Sequence, residues 1–147
     1  MKYSSPQLFD IGYVIDDSVI SCTSHALILK KSHPELPIKK FSKPIFGLAH
    51  LKRDLNEGHR ILLLLDIEMP KLKGPELLRY ILKQNYLNSS GLKVIFISSA
   101  IDKYRYDPVL SNNVVADRAF KPFNLKRLQG ILENIFDKVA LEIAESA

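Results

Sequence analysis

Asp16-Asp17, Asp66, Ser98-Ser99 and Lys121-Pro122 could act together on one ligand, because each directly follows a short run that reads as a strand. The runs are Ile11–Ile15, 61–65, 94–97 and 114–120. As strands of one sheet, they would bring three carboxylates, a hydroxyl and an ammonium to a single rim. Two carboxylates about 5 Å apart at an effective dielectric of ~20 repel by roughly 3 kcal/mol. Three together would raise one another's pKa or need a cation. Mg²⁺ suits the set: it is hard and oxygen-seeking, keeps several waters with one or two carboxylates, and binds phosphate oxygens. Lys121 adds a second positive charge and Ser98 a hydroxyl donor. Charge neutralisation around phosphoryl oxygens with a positioned nucleophile is what phosphoryl transfer requires. Asp66 is the natural nucleophile, since aspartate carboxylates form acyl phosphates. Taken singly, each signal is weak. An Asp pair after a strand is commonly a solvated helix start, a lone Asp a turn residue, and Lys-Pro or Ser-Ser a loop. Their force lies in each closing a different strand.

The elements that must position these residues alternate along the chain. After the first strand, Asp17 or Ser18 caps a helix with Val19, Cys22, Ala26 and Leu29 on one face. Pro34 and Pro37 break the chain before a weak strand, Ile38–Phe41, whose Lys39-Lys40 pair suggests a sheet edge. Residues 46–56 read as a helix with Leu48, Leu51 and Leu55 as its buried stripe, ended by Gly58. The five aliphatics of 61–65 show no alternation, as expected of a central strand buried on both faces. Pro75 suits the first turn of a third helix, with Leu77, Leu78, Ile81 and Leu82 as its apolar face. Residues 88–91 form a polar loop. Residues 102–110 are helical in pattern but interrupted by Pro108. Asn124 caps a long last helix with Leu125, Leu128, Leu132, Ile135 and Val139 as its stripe. Five βα units in succession imply an α/β domain with a parallel sheet and helices on both faces. Such sheets bind ligands at the carboxyl ends of their strands.

The chain of 147 residues fits one domain, with an N-terminal extension over 1–10, the domain proper over 11–136, and an extension of the last helix over 137–147. Its hydrophobic fraction of 46% is that of an ordinary globular protein. A single cysteine, Cys22, excludes an internal disulfide, and MKYSSPQLFD has no apolar leader. A reduced, cytoplasmic setting is expected, with no membrane span. The net charge of +5 is carried by the segment 30–60, where eight basic residues face three acids. Such a face could attract nucleic acid, anionic lipid or an acidic partner protein, but no aromatic-interleaved basic stripe accompanies it, and a solvated face is the plainer account. Cys22 reads as a core residue. His25, His33, His50 and His59 show no metal-ligand spacing and are read as surface or structural, away from the acidic rim.

The motifs Val14-Ile15-Asp16-Asp17-Ser18, Asp66-Ile67-Glu68-Met69-Pro70 with Gly74, Val94-Ile95-Phe96-Ile97-Ser98-Ser99 and Lys121-Pro122-Phe123 resemble those of the receiver domain of bacterial response regulators. The likeness covers most of the chain, from Gly12 to Ile135. It implies a three-layer, doubly wound (βα)5, flavodoxin-like fold with strand order 2-1-3-4-5. It also implies that Asp66 accepts a phosphoryl group from a phosphohistidine on a histidine kinase or phosphotransfer protein. Asp17 and Asp66 would hold Mg²⁺ directly, Asp16 through water, and Glu68 through its main-chain carbonyl. Ser98 and Lys121 would contact the phosphoryl oxygens. Glu68 and Ala100 fall where members of the family tune hydrolysis, and the Lys121-Pro122 bond where they often carry a cis peptide. The output would be a changed affinity of the face formed by the fourth helix, fifth strand and last helix for an unidentified downstream protein. No DNA-binding or catalytic unit is expected after the last helix.

The chain departs from the family at Arg118, three residues before the lysine, where a Tyr or Phe is usual. A register shift in this strand, or a partner-facing salt bridge from Arg118, would each account for it. Phosphorylation chemistry is thus expected more firmly than the usual aromatic switch. A rival reading is a receiver-like protein-binding module that works without phosphorylation; the filled chemical positions speak against it. A flavin protein or phosphatase on a similar fold is another, but Asp16-Asp17 would repel a phosphate where a Gly-rich loop is needed. The heptad-like stripe of the last helix could also pair two copies of the chain, although packing on the sheet explains most of it.

Overall fold

The structure is a computed structural model that describes residues 8–84, 91–99 and 107–146. A five-stranded parallel sheet in the order β2-β1-β3-β4-β5 forms its centre. The strands are β1 (Ile11–Ile15), β2 (Ile38–Phe41), β3 (Ile61–Asp66), β4 (Leu92–Ser98) and β5 (Val115–Phe120). The helices are α1 (Val19–Ser32), α2 (Pro44–Asn56), α3 (Gly74–Gln84) and α4 (Leu125–Ser146). A short 3-10 turn covers Pro108–Ser111; most of the helix expected over 102–110, and all but Gly91 of the loop expected over 88–91, lie outside the described residues.

Alternation along β3 divides the core. Leu62 and Leu64 join Val14, Ile95 and Ile97 beneath α1 and α4, while Ile61, Leu63 and Leu65 join Tyr13, Val94 and Phe96 beneath α2 and α3. All five aliphatics are essentially inaccessible. That double burial puts β3 at the middle of the sheet, and the Lys39-Lys40 strand lies at its edge.

Two helix faces differ from the spacing read in the sequence. On α1 the buried positions are Cys22, His25, Leu29 and Ser32, while Val19 is 66% exposed. Ser18 is the N-cap, its hydroxyl accepting from Ser21 N at 3.2 Å, so Val19 falls in the first turn, away from the sheet. On α4 Ile131 joins Leu128, Leu132 and Ile135 in the core, and the last turns, with Leu141 and Ile143, are exposed. Helix α2 starts at Pro44, two residues before the expected Phe46, because proline needs no N–H partner there.

Part of the basic segment is paired within the fold. Arg60 forms a fork with Asp10, and Asp54 receives both Lys39 Nζ at 2.6 Å and Arg53 Nε at 3.7 Å. Asp54 also accepts from the Tyr13 hydroxyl inside the core. Burial works to raise the Asp54 carboxyl, but the hydrogen bonds from Lys39 and Tyr13 outweigh it and hold the group below its ordinary range. One carboxylate thus ties β1, the edge strand β2 and α2 together. Asp54→Ala would leave a buried phenol without an acceptor and an ammonium without a counter-charge. We expect it to lower stability by about 2–3 kcal/mol, read as a lower urea midpoint at unchanged slope; an unchanged midpoint would refute the role.

Candidate phosphoacceptor site

The rim is built from four strand ends. At the end of β1 the chain turns so that Asp16 points in (1% exposed) and Asp17 points out. Asp16 Oδ1 accepts from Ser18 N at 2.9 Å, which fixes one side of its carboxylate as α1 begins. Asp66 closes β3 and is buried. Asp16, Asp17 and Asp66 each offer a carboxylate oxygen, and these atoms lie within 4.8 Å of one another. Ser98 closes β4 with its side chain fully buried. Its carbonyl accepts from Lys121 N at 2.8 Å, which anchors the start of the turn after β5. The Lys121-Pro122 bond is cis, as the resemblance suggested.

Lys121 is shared between two acids. Its Nζ lies 3.1 Å from Asp16 Oδ2 and 3.5 Å from Asp66 Oδ1. Burial alone would lower its pKa, but Asp66 and Asp16 raise it on balance, so it stays an ammonium. Asp66 moves the other way. Burial, then the charges of Asp16 and Asp17, push its carboxyl up to about 7 against the pull of Lys121. Asp16 Oδ2 and Asp66 Oδ1 are buried with no donor besides the Lys121 ammonium, and Ser98 Oγ is buried with no hydrogen-bond partner. Buried polar atoms are rarely left so. With all groups ionised, three carboxylates and one ammonium leave a charge of −2, which a divalent cation would balance. The donors are all hard oxygens, so the residues present fit Mg²⁺.

Gly74, the last residue of the Asp66-to-Gly74 motif, has a steric reason to be glycine. A Cβ there would overlap the main-chain carbonyl oxygen of Asp66 and lie 3.1 Å from Ile67 Cα. Its N–H donates to the Ile67 carbonyl at 3.0 Å, which folds the turn carrying Glu68 back onto β3. Gly74→Ala should therefore displace the backbone at Asp66 and cost about 2 kcal/mol. Chemical denaturation tests this; a fully stable variant would mean the turn yields without consequence.

The expected site residues Asp16, Asp17, Asp66, Ser98 and Lys121 all come to this rim. Glu68 lies in the turn after β3, its side chain 3.5 Å from Lys73 Nζ; Ala100 is outside the described residues. At the departure from the family, β5 does carry a register irregularity, between the partners of Val94 and Ile95. It falls before Arg118, however, which stays opposite Phe96, and Phe120 turns outward at 54% exposure. The irregularity therefore brings no aromatic side chain into the switch position.

One expectation is corrected. His25 is not away from the rim: it is buried, with Nδ1 3.9 Å from Asp16 Oδ2 and its ring edge-on to Phe123 at 5.8 Å. Burial lowers its pKa, opposed by Asp16 and assisted by Lys121. The signal was present in the spacing 22, 25, 29, which is as helical as 19, 22, 26, 29.

No protein-family model and no curated protein matches the chain. Among solved structures it is similar to a response regulator receiver domain protein from Clostridium thermocellum. The identity is 22% and the TM-score 0.67, over 88% of this chain and 97% of that one. It is also similar to a CheY-like receiver domain protein from Methanospirillum hungatei, at 20% identity and TM-score 0.61 over 85% and 91%. The chemotaxis response regulator CheY4 of Vibrio cholerae gives 15% and 0.64 over 86% and 98%. At these identities the likeness is one of fold. The chain has the architecture of CheY-like receiver domains, and the resemblance carried by its motifs is supported across most of its length. Among the described residues no helix is long and apolar enough to cross a membrane.

Proposed function

We propose that the protein is a phosphoacceptor receiver of a two-component or phosphorelay pathway. The observation that carries this reading is the convergence of three carboxylates on one ammonium, with buried oxygens of Asp16 and Asp66 that meet no donor besides Lys121. An Asp66 carboxylate oxygen attacks the phosphorus of a phosphohistidine on a histidine kinase or phosphotransfer protein. The P–O bond forms as the P–N bond breaks, and the electron pair of that bond leaves with the imidazole nitrogen. Asp16, Asp17, Asp66 and the main-chain carbonyl of Glu68 would hold Mg²⁺, which neutralises charge on the phosphoryl oxygens when bound. Lys121 turns its ammonium to the same oxygens, and the Ser98 hydroxyl, which has no hydrogen-bond partner, donates to another. The acyl phosphate adds up to about two negative charges at the rim. Repacking around Ser98 and Lys121 then alters the affinity of the protein for a downstream partner.

Intact mass after incubation with acetyl phosphate tests the proposal. One added phosphoryl group that requires Mg²⁺ is expected. If no adduct forms and beryllofluoride does not bind either, the chain works as a phosphorylation-independent binding module instead.

A further inference from the structure

His25 occupies a place in the core where an apolar side chain would suffice. Its neighbours on the buried face of α1 are Cys22 and Leu29, and the cluster around them is aliphatic and aromatic. Burying a polar ring costs free energy unless it gains a hydrogen bond. An acceptor beside it is Asp16 Oδ2, at 3.9 Å from Nδ1. That oxygen is itself buried, and its donor is the Lys121 ammonium at 3.1 Å. The other oxygen of the same carboxylate is already held by Ser18 N.

We propose that His25 is a positioning residue that takes over Asp16 Oδ2 when Lys121 leaves it. The inference rests on the phosphoacceptor reading. Lys121 sits nearer to Asp16 than to Asp66, at 3.1 against 3.5 Å. A phosphoryl group on Asp66 presents three charged oxygens to that ammonium and draws it away from Asp16. As Lys121 turns to them, Asp16 Oδ2 loses its ammonium and keeps, besides the cation it would help to hold, the imidazole as its neighbour. A closing movement of about 1 Å brings Nδ1–H to hydrogen-bond distance. Phe123 guides the ring: it follows the Lys121-Pro122 bond and meets His25 at an interplanar angle of 87°. The turn that carries the departing lysine therefore also braces the residue that replaces it.

Calorimetry on the full chain tests the handover, first with Mg²⁺ alone and then with beryllofluoride at saturating Mg²⁺. His25→Leu keeps the volume and removes the donor; His25→Asn places an amide N–H close to the position of Nδ1. We expect Mg²⁺ affinity to be unchanged in both variants. Beryllofluoride affinity should fall by about tenfold in His25→Leu, the scale of a hydrogen bond to a charged group, and recover in His25→Asn. His25→Val replaces the leucine variant if that one does not fold by circular dichroism. Unchanged beryllofluoride binding in the apolar variant would overturn the proposal. So would equal losses in the apolar and Asn variants, which would make ring shape the cause. Parallel losses of Mg²⁺ and beryllofluoride affinity would place His25 on Asp16 before the handover and overturn it too. A wild-type chain that binds neither probe would instead refute the phosphoacceptor reading, and the handover with it.

Discussion

Asp66→Asn is expected to take up no phosphoryl group from acetyl phosphate while remaining folded. The amide that replaces the carboxylate is not a competent nucleophile, and none of the neighbouring acids can stand in for it. Asp17 faces solvent, and Asp16 is held by Ser18 N and Lys121 on the far side of the ammonium. Loss of a nucleophile removes the covalent step outright, so labelling should fall by on the order of 10³-fold or more. Intact mass spectrometry with saturating Mg²⁺ reads this directly. Retained labelling would move the acceptor to another residue, and peptide mapping would show which. Folding should not suffer. Asp66 is buried beside Asp16, and a neutral amide of the same size relieves their repulsion while leaving Lys121 with Asp16.

The same relief makes the second large effect, a dependence of metal-free stability on pH. The Asp66 carboxyl ionises at about 7 in the fold against an ordinary value of 3.8. The native state therefore binds the proton more tightly than the unfolded chain. Stability from this group is fully present below about 3.8, falls as pH rises toward 7, and is constant above it. The total change is about 2–4 kcal/mol. His25 and His33 act in the opposite direction. Burial lowers both, so they are held neutral in the fold and lose stability as pH falls through 6.5. The difference between wild type and Asp66→Asn cancels the histidines and isolates the acceptor. Asp66→Asn should be the more stable protein at pH 8 without metal, with the advantage vanishing near pH 4. On the proposed function Mg²⁺ would take the ionised carboxylate, so it should stabilise wild type chiefly at high pH. At 100 times its dissociation constant the gain is about 2.7 kcal/mol, or roughly 5–10 °C in Tm for a chain of this size. A thermal shift equal in Asp66→Asn, or equal at pH 5 and pH 8, would show that the cation binds elsewhere.

The strands and the rim were legible in the sequence for a local reason. A parallel strand buried on both faces must be a continuous aliphatic run, so 61–65 announced the centre of the sheet, and Lys39-Lys40 announced an edge. A polar residue directly after such a run has to lie at the strand end. That placed Asp16, Asp17, Asp66, Ser98 and Lys121 on one rim before any contact was known. Helix faces were less legible. The three- and four-residue steps of a helix allow two neighbouring stripes, and the sequence offered both 19-22-26-29 and 22-25-29 on α1. Only the docking of α1 against β1 and α4 selected the second, buried His25 and exposed Val19. Long-range packing likewise decided that Asp16 turns inward and Asp17 outward, and that Lys121 spans two carboxylates. It also decided that Lys39 is paired with Asp54. Periodicity along the chain reports which residues end an element; which of them meet across elements, and with what charge left over, is decided where the elements pack together.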